Sequence, residues 1–572
     1  MTAVRDQKTS GQKMSASPET PVQSIPATGS RAAVEALLRC GITCGFGIPS
    51  IHNIALYDGL RQEPNFHHWV VRHEQAAGFA ADGFFRRSGR VAAVFASTGP
   101  GNLFTLVPLL ESLQTNTPVL VLGTNIASSL LAKTGGALHE TPQQTDIFRP
   151  LTRYARRVSS PDEIPEAITA AAEMLHGPAP GPAFIEIPHD FFHAPVSAGV
   201  RAERKAQAPP PSTEDVAAAI KLVARSKTPV MIVGGGIRAH ADEVRQLAEK
   251  LQAPVFSTTS GKGLIADDHL LALGCISRLG AVQEVLQQSD LLISLGAKLT
   301  EFDTGRFALN LPSQHLRIVD HPAYAGDRLP ATVQLAGDVG AIARTLAGPL
   351  QPRVGWCDVA ATKAREKERL EPLQSEADAA LGLLRAALDR EDVVVNDQSI
   401  LNYWASAFFP VMAPGTFIYP AGSGTLGYGL PAAIGAACAE RLAGSRRKIV
   451  CIAGDGGFQY TQHELATLVQ YGLPVKILLV NDEAYGIIGF LQRSMFGATH
   501  EVDLKNPDFC RLAEAHGIRA ERATTLDGLE QKLPGWLESP GPALLEWRTQ
   551  LKAPWEIGAI PRPTGLSRGQ QK

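Results

Sequence analysis

The chain has 572 residues and a mass of 61.0 kDa, too much for one hydrophobic core, so about three domains are expected. Hydrophobic residues make up 44% and charged residues 19%, the balance of an ordinary globular protein. A net charge of -2 argues against a general nucleic-acid or anionic-membrane partner, and no apolar run reaches the ~18–20 residues of a membrane helix.

In chain order, residues 1–29 come first, polar and rich in Ser, Thr and Pro. They lack the apolar core of a secretory signal and read as a disordered tail. Residues 30–195 form the first block, where "RVAAVFAST" and "TPVLVLGT" have the continuous apolar character of buried parallel strands. A proline-rich linker, Pro195 to Thr213, precedes a second block over 212–347 with "PVMIVGGG", "DLLISLGAK" and "HLRIVD". A charged stretch from about Ala347 to Asp378 reads as a second linker. The third block, 378–552, carries "KIVCIAGDG" and "VKILLVND". Alternation of such strands with helical patterns predicts three doubly wound parallel α/β domains. The seven cysteines are scattered without a zinc spacing, which suits a reducing cytoplasm.

The third block holds the most informative spacing. "KIVCIA" predicts a strand ending at Gly454-Asp455-Gly456, and ligands gather at the carboxyl ends of parallel strands. Gly456 and Gly457 permit close backbone approach, and a helix expected from about Thr461 would aim its N-terminus at a diphosphate. The next strand ends at Asn481-Asp482, so Asp455 and Asp482 are 27 residues apart, one crossover unit. Two carboxylates at one sheet edge beside a diphosphate cradle suit a hard octahedral cation such as Mg²⁺. The plainer reading is a Gly-rich turn and an unrelated Asn-Asp loop.

This arrangement resembles the thiamine diphosphate enzymes, particularly the acetolactate-synthase-like decarboxylases and carboligases. The resemblance covers about 30 to 550. It implies that Asp455 and Asp482 are metal ligands, with the Ala484 carbonyl as a third. Gly457 stands where many members carry Ser, and Asp482 where Asn is commoner. "VVRHEQAAGFAADGFF" matches the segment whose glutamate, here Glu74, bonds the aminopyrimidine; without the family it would read as a solvated acid at a helix start. "ASTGPGN" resembles the turn facing the pyrimidine, with Ser97, Gly99 and Gly101. "YPAGSGTLGYGLP" resembles the segment holding the cofactor bent, which gives Gly424 as carbonyl acceptor and Leu426 as apolar wedge. "NDQSILNYW" makes Gln398 and Ser399 diphosphate contacts.

On the substrate side, His52 resembles the histidine of benzaldehyde-lyase-like members. His139, in an LHE sequence, resembles decarboxylases of longer 2-oxo acids. A neutral imidazole can move the proton this chemistry needs; each can equally be a loop histidine satisfied by backbone. Glu140, Gln143 and Gln144 are weaker pocket candidates, and Ile487, Ile488, Leu491 and Phe496 would wall the substrate channel. In the central block Asp303 and Gly305 resemble residues that contact FAD in some relatives. "CISRLGA" departs from the synthase pattern there, so FAD is the weaker expectation. The resemblance implies decarboxylation of a 2-oxo acid with carboligation to a second carbonyl. A 2-hydroxy ketone lyase and a simple decarboxylase are the alternatives. It also implies a homodimer or homotetramer with active sites between subunits.

Overall fold

The computed structural model describes residues 27–561, apart from 132, 134, 198, 200, 202, 203, 205–207, 279 and 325–327. The tail expected over 1–29 therefore lies outside the described residues as far as position 26.

Three six-stranded, wholly parallel sheets carry the chain. The first contains β1 (Cys44–Gly47), β2 (His67–Val70), β3 (Ala93–Ala96), β4 (Leu120–Asn125), β5 (Tyr154–Arg157) and β6 (Ala183–Pro188), in spatial order β2-β1-β3-β4-β6-β5. The central sheet contains β7 (Pro229–Val233), β8 (Val255–Ser257), β9 (Ala272–Cys275), β10 (Leu291–Leu295), β11 (His315–Val319) and β12 (Val333–Ala336), ordered β9-β8-β7-β10-β11-β12. The last contains β13 (Val393–Asn396), β14 (Phe417–Ile418), β15 (Ile449–Gly454), β16 (Val475–Asn481), β17 (Arg519–Ala523) and β18 (Ala543–Arg548), ordered β14-β13-β15-β16-β18-β17. The two outer sheets thus share one winding order, which the central sheet does not have. Strands such as β4 and β16 are buried at every position because helices cover both faces.

Two helices join the outer domains. α1 (Glu74–Ser88) is alanine-rich, is capped by the His73 ring accepting from Gln75 N–H, and stops at left-handed Gly89. α2 (Leu106–Thr115) packs beside it, and α3 (Gly429–Leu442) packs against it from the C-terminal domain. Their backbones approach so closely that a methyl group on Gly83 would fall 2.2 Å from the Ala432 carbonyl oxygen. One on Gly435 would fall 1.9 Å from that of Ala80. A single apolar cluster accordingly runs through both outer domains, from Phe46 and Phe79 to Tyr428 and Leu479. The central sheet has its own core.

The charged stretch read as a linker is largely helical, over Val359–Leu370 and Glu376–Ala387, capped by Asp358 and Ser375. The helix expected from about Thr461 is present, opening as a 3₁₀ turn with that residue at its N-cap. Asp455 opens its own helical turn, Asp455–Phe458, and a 3₁₀ turn, Gln462–Glu464, precedes the short helix Leu465–Tyr471. The Thr461 hydroxyl instead donates to the Gly427 carbonyl, fixing the turn against the neighbouring loop.

Candidate active site

Parallel pairing of Gly454 with Val480 sets the ends of β15 and β16 side by side, so Asp455 and Asp482 meet. Their carboxyl groups hydrogen-bond each other. Burial raises both, and the charge of Asp455 raises Asp482 further. Two buried carboxyl groups brought this close form a donor set that a divalent ion would stabilise. Asn506 links the two strand ends from the side, its amide donating to Asp455 Oδ2 at 2.5 Å and Asn481 Oδ1 at 3.0 Å. Nothing in the sequence spacing pointed to Asn506. Glu483 is left-handed (φ 53°), which turns the chain sharply after Asp482. Ala484 then bridges Asp503. The hydrogen bonds of that bridge run through Glu483 C=O and Tyr485 N–H, which leaves the Ala484 carbonyl outside the ladder. The three oxygen donors fit Mg²⁺.

Beyond β13, Asp397 is buried and accepts N–H groups of Gln398 (2.7 Å), Gly427 (3.1 Å) and Gly429 (2.9 Å). It explains Gly457: a methyl group there would lie 2.7 Å from Asp397 Oδ1. Gln398 accepts the Tyr419 hydroxyl and stands 3.8 Å from where a Gly424 side chain would begin. Ser399 lies against Gly454, but its hydroxyl caps the following helix through Asn402. That leaves it a structural bond as well as a place beside the turn. Gly424 is left-handed (φ 66°), and Leu426 is half-buried behind it.

In the N-terminal domain Glu74 heads α1. A methyl group on Gly101 would touch Glu74 Oε1 and Ser97 Cβ, each 3.0 Å away. Glu74 makes no hydrogen bond or ion pair among the described residues, and the Ser97 hydroxyl is buried without a partner. Gly99, next in the turn, packs on the His139 carbonyl. His139 and His52 face each other with ring centroids 5.3 Å apart. A third imidazole, His189, which the sequence reading missed, lies 5.4 Å from His52. The three come from loops after β1, β4 and β6, which is the signal that marks them. His52 Nδ1 is buried and unpartnered. Burial, then His189 and His139, hold its pKa below the ordinary value. The weaker candidates divide. Gln144 holds the Gly99 turn through Gly99 N–H and the Thr124 carbonyl, and Glu140 caps its own loop at Gly136 and Ala137. Gln143 is exposed and left-handed. On α4 (Gly486–Phe496), Ile488 and Phe496 are exposed, whereas Ile487 and Leu491 are half-buried.

Residues 27–148 match the N-terminal TPP binding domain of thiamine pyrophosphate enzymes, 216–346 their central domain and 397–547 their C-terminal TPP binding domain. The chain is a thiamine pyrophosphate enzyme of the acetolactate-synthase-like family. It is 34% identical to the "Probable 2-ketoarginine decarboxylase AruI" of Pseudomonas aeruginosa, over 91% of this chain and 94% of that protein. To the "Acetolactate synthase isozyme 1 large subunit" of Escherichia coli it is 30% identical, again over 91% and 94%. The fold is that of a solved Mycobacterium smegmatis structure assigned to the thiamin diphosphate-dependent enzymes, with a TM-score of 0.76 and 23% identity. That match covers 92% of this chain and 100% of the other.

The thiamine pyrophosphate enzyme also has a cavity of about 960 Å³ at the switch point of its central sheet, lined by Gly235, Gly236, Arg238, Lys298 and Asp320 among others. Asp303, expected to contact a flavin, uses one oxygen on Thr259 N–H and the other on Thr300. Gly305 is left-handed at a turn beyond it. The cavity has room for a dinucleotide, but both oxygens of Asp303 are already engaged by Thr259 and Thr300. No helix among the described residues is long and apolar enough to cross a membrane.

Proposed function

We propose that the enzyme decarboxylates a 2-oxo acid with thiamine diphosphate and Mg²⁺ and joins the product to a second carbonyl. The observation that carries this reading is the placing of Asp455 and Asp482 together at adjacent strand ends, beside the Gly456-Gly457 turn. Asp455, Asp482 and the Ala484 carbonyl hold the metal, while Gly456, Gly457, Gln398 and Ser399 border the diphosphate. Gly424 accepts from the aminopyrimidine, and Leu426 supports the bend. When bound, thiamine diphosphate supplies a nucleophilic thiazolium carbon and an electron sink for the carbon that loses CO₂. Glu74 holds a proton at the aminopyrimidine ring nitrogen, a role consistent with a carboxyl that has no protein partner. His52, neutral near pH 7, and His139 move a proton at the substrate oxygen or carbon.

Simple decarboxylation of a longer 2-oxo acid is the second reading. The imidazole pair, able to protonate carbon, and the similarity to the 2-ketoarginine decarboxylase favour it. A 2-hydroxy ketone lyase would use His52 in the same place. We also propose a cytoplasmic homodimer or homotetramer. Among the described residues the Glu74 carboxyl bonds none of the C-terminal site residues, and Phe104 (46% exposed), Val107 (44%), Ile488 (46%) and Phe496 (72%) offer apolar surface for a partner subunit to cover. FAD, if held in the central cavity, would be structural, because neither reaction transfers net electrons.

The test is to give the purified protein thiamine diphosphate, Mg²⁺ and a panel of 2-oxo acids, measuring CO₂ and product masses. CO₂ with a hydroxy ketone supports ligation, and CO₂ with free aldehyde alone moves the reading to a decarboxylase. Cleavage of hydroxy ketones without CO₂ moves it to the lyase. Glu74→Gln should lose about 10²–10⁴-fold in turnover, and full activity in it would defeat that role. Replacing Asp455 and Asp482 together should abolish metal-dependent cofactor binding in calorimetry; undiminished affinity would defeat the metal assignment.

A further inference from the structure

Two fully buried carboxylates cross between the outer domains of the chain, in opposite directions. Glu111, on α2 of the N-terminal domain, is 0% exposed. It accepts the N–H of Gly422 at 3.1 Å, the N–H of Ser423 at 2.6 Å and the Ser423 hydroxyl at 2.8 Å. Those residues lead directly into Gly424 and Leu426. Arg86 donates to Glu111 at 2.9 Å and also to the Tyr419 carbonyl of the same loop. Glu464, in the C-terminal domain, is likewise 0% exposed. It accepts the N–H of Arg72 at 2.8 Å and bonds the His73 backbone, immediately before Glu74, while its second oxygen takes the Thr467 hydroxyl.

We infer that Glu111 and Glu464 are positioning residues, each reaching out of its own domain to fix the segment of the other domain that presents a cofactor contact. A buried carboxylate is tolerated only when its oxygens are satisfied. Here much of what satisfies them is backbone of the two segments on which Gly424, Leu426 and Glu74 depend. Domain cohesion alone would not need this choice: the buried Arg87–Glu440 pair ties α1 to α3 and leads to no cofactor segment. The inference rests on the reading of Gly424, Leu426 and Glu74 given above.

The two clamps respond differently to an amide. At Glu111 both oxygens receive donors, so Gln would turn its NH₂ towards a donor and lose a bond. At Glu464 one oxygen takes the backbone and the other a hydroxyl, which can itself accept from an NH₂. The experiment measures thiamine diphosphate affinity of the full-length chain by calorimetry at saturating Mg²⁺, together with thermal midpoints and, with a decarboxylated 2-oxo acid, kcat and KM. Glu111→Gln should weaken cofactor binding about tenfold or more, equivalent to about 1.4 kcal/mol, and Ser423→Ala, an exposed change, by a smaller factor. Glu464→Ala should lower kcat with little change in KM, and Glu464→Gln should restore it. Glu440→Gln should lower the thermal midpoint and leave affinity unchanged. The inference is overturned if Glu111→Gln and Ser423→Ala bind like wild type. It is equally overturned if Glu440→Gln loses as much affinity as Glu111→Gln at the same thermal cost, or if Glu464→Gln fails to recover kcat. A wild-type chain that binds no thiamine diphosphate would overturn the functional reading itself, a result distinct from all of these.

Discussion

Introducing Ser at Gly457 tests whether Asp397 dictates the departure from the family pattern. The new Cβ would stand 2.7 Å from Asp397 Oδ1 and 3.1 Å from its Cγ, contacts that real side chains do not make, so the carboxylate must move. Asp397 is 1% exposed and holds three backbone N–H groups. A hydrogen bond to a charged group is worth about 1.5–3 kcal/mol, so losing one or straining all three should cost roughly 2–4 kcal/mol. Burial lifts the Asp397 pKa to about 6, and the comparison belongs at pH 8, where the group is ionised. Denaturant unfolding of the C-terminal domain, followed by Trp404 and Trp547 fluorescence, would compare Gly457→Ser, Asp397→Ala and the double variant. With Asp397 gone the serine has room, so the double variant should be more stable than the sum of single losses predicts, by at least about 1 kcal/mol. Losses that add within about 0.5 kcal/mol would show that Asp397 is not what excludes a side chain at 457.

Three other outcomes are expected. Asn506→Ala should raise the Mg²⁺ concentration needed for cofactor binding, because Asp455 and Asn481 lose their shared donor; an unchanged metal titration would speak against it. Tyr428→Phe, which removes the 2.6 Å bond from a fully buried hydroxyl to Asp82, should cost about 1.5–3 kcal/mol in urea unfolding. His315 is 3% exposed and burial lowers its pKa to about 4. The unfolded chain therefore takes up that proton first on acidification. Its stabilising contribution is complete above about pH 6.5 and is lost as pH falls towards 4, by up to about 3 kcal/mol. His315→Gln should flatten the fall in stability between pH 7 and 5, and an equal fall in both proteins would refute the assignment.

The strands and the three-sheet fold were legible because a parallel strand covered on both faces must be apolar throughout, as Val475–Asn481 is. The Asp455 and Asp482 pairing was legible because one crossover returns the chain to the same sheet edge. What stayed hidden depends on contacts that sequence distance does not encode. Glu111 and Gly422 are far apart along the chain, Asn506 reaches Asp455 from a loop with no motif, and His189 joins His52 only because the loops after β1 and β6 converge over the strands between them. The helices in the charged stretch after Ala347 stayed hidden because its charged residues belong to a helix with one solvated face. The helix from about Thr461 was legible, but the helical turn that Asp455 opens before it was not, because a Gly-Asp-Gly sequence reads as open loop.

The identical winding of the outer sheets has a geometric consequence. α1 follows the second strand of its sheet and α3 the second strand of its own, so the two helices are counterparts. Their closest contacts exchange as well: Gly83 lies on Ala432, and Gly435 lies on Ala80. An approximate dyad therefore passes between them, and the junction inside a single chain is isologous, like that of a two-fold dimer. A bulky residue at Gly83 would strike the Ala432 backbone and one at Gly435 the Ala80 backbone, equivalent obstacles related by the dyad. Parting the helices to admit either side chain would therefore loosen both contacts at once.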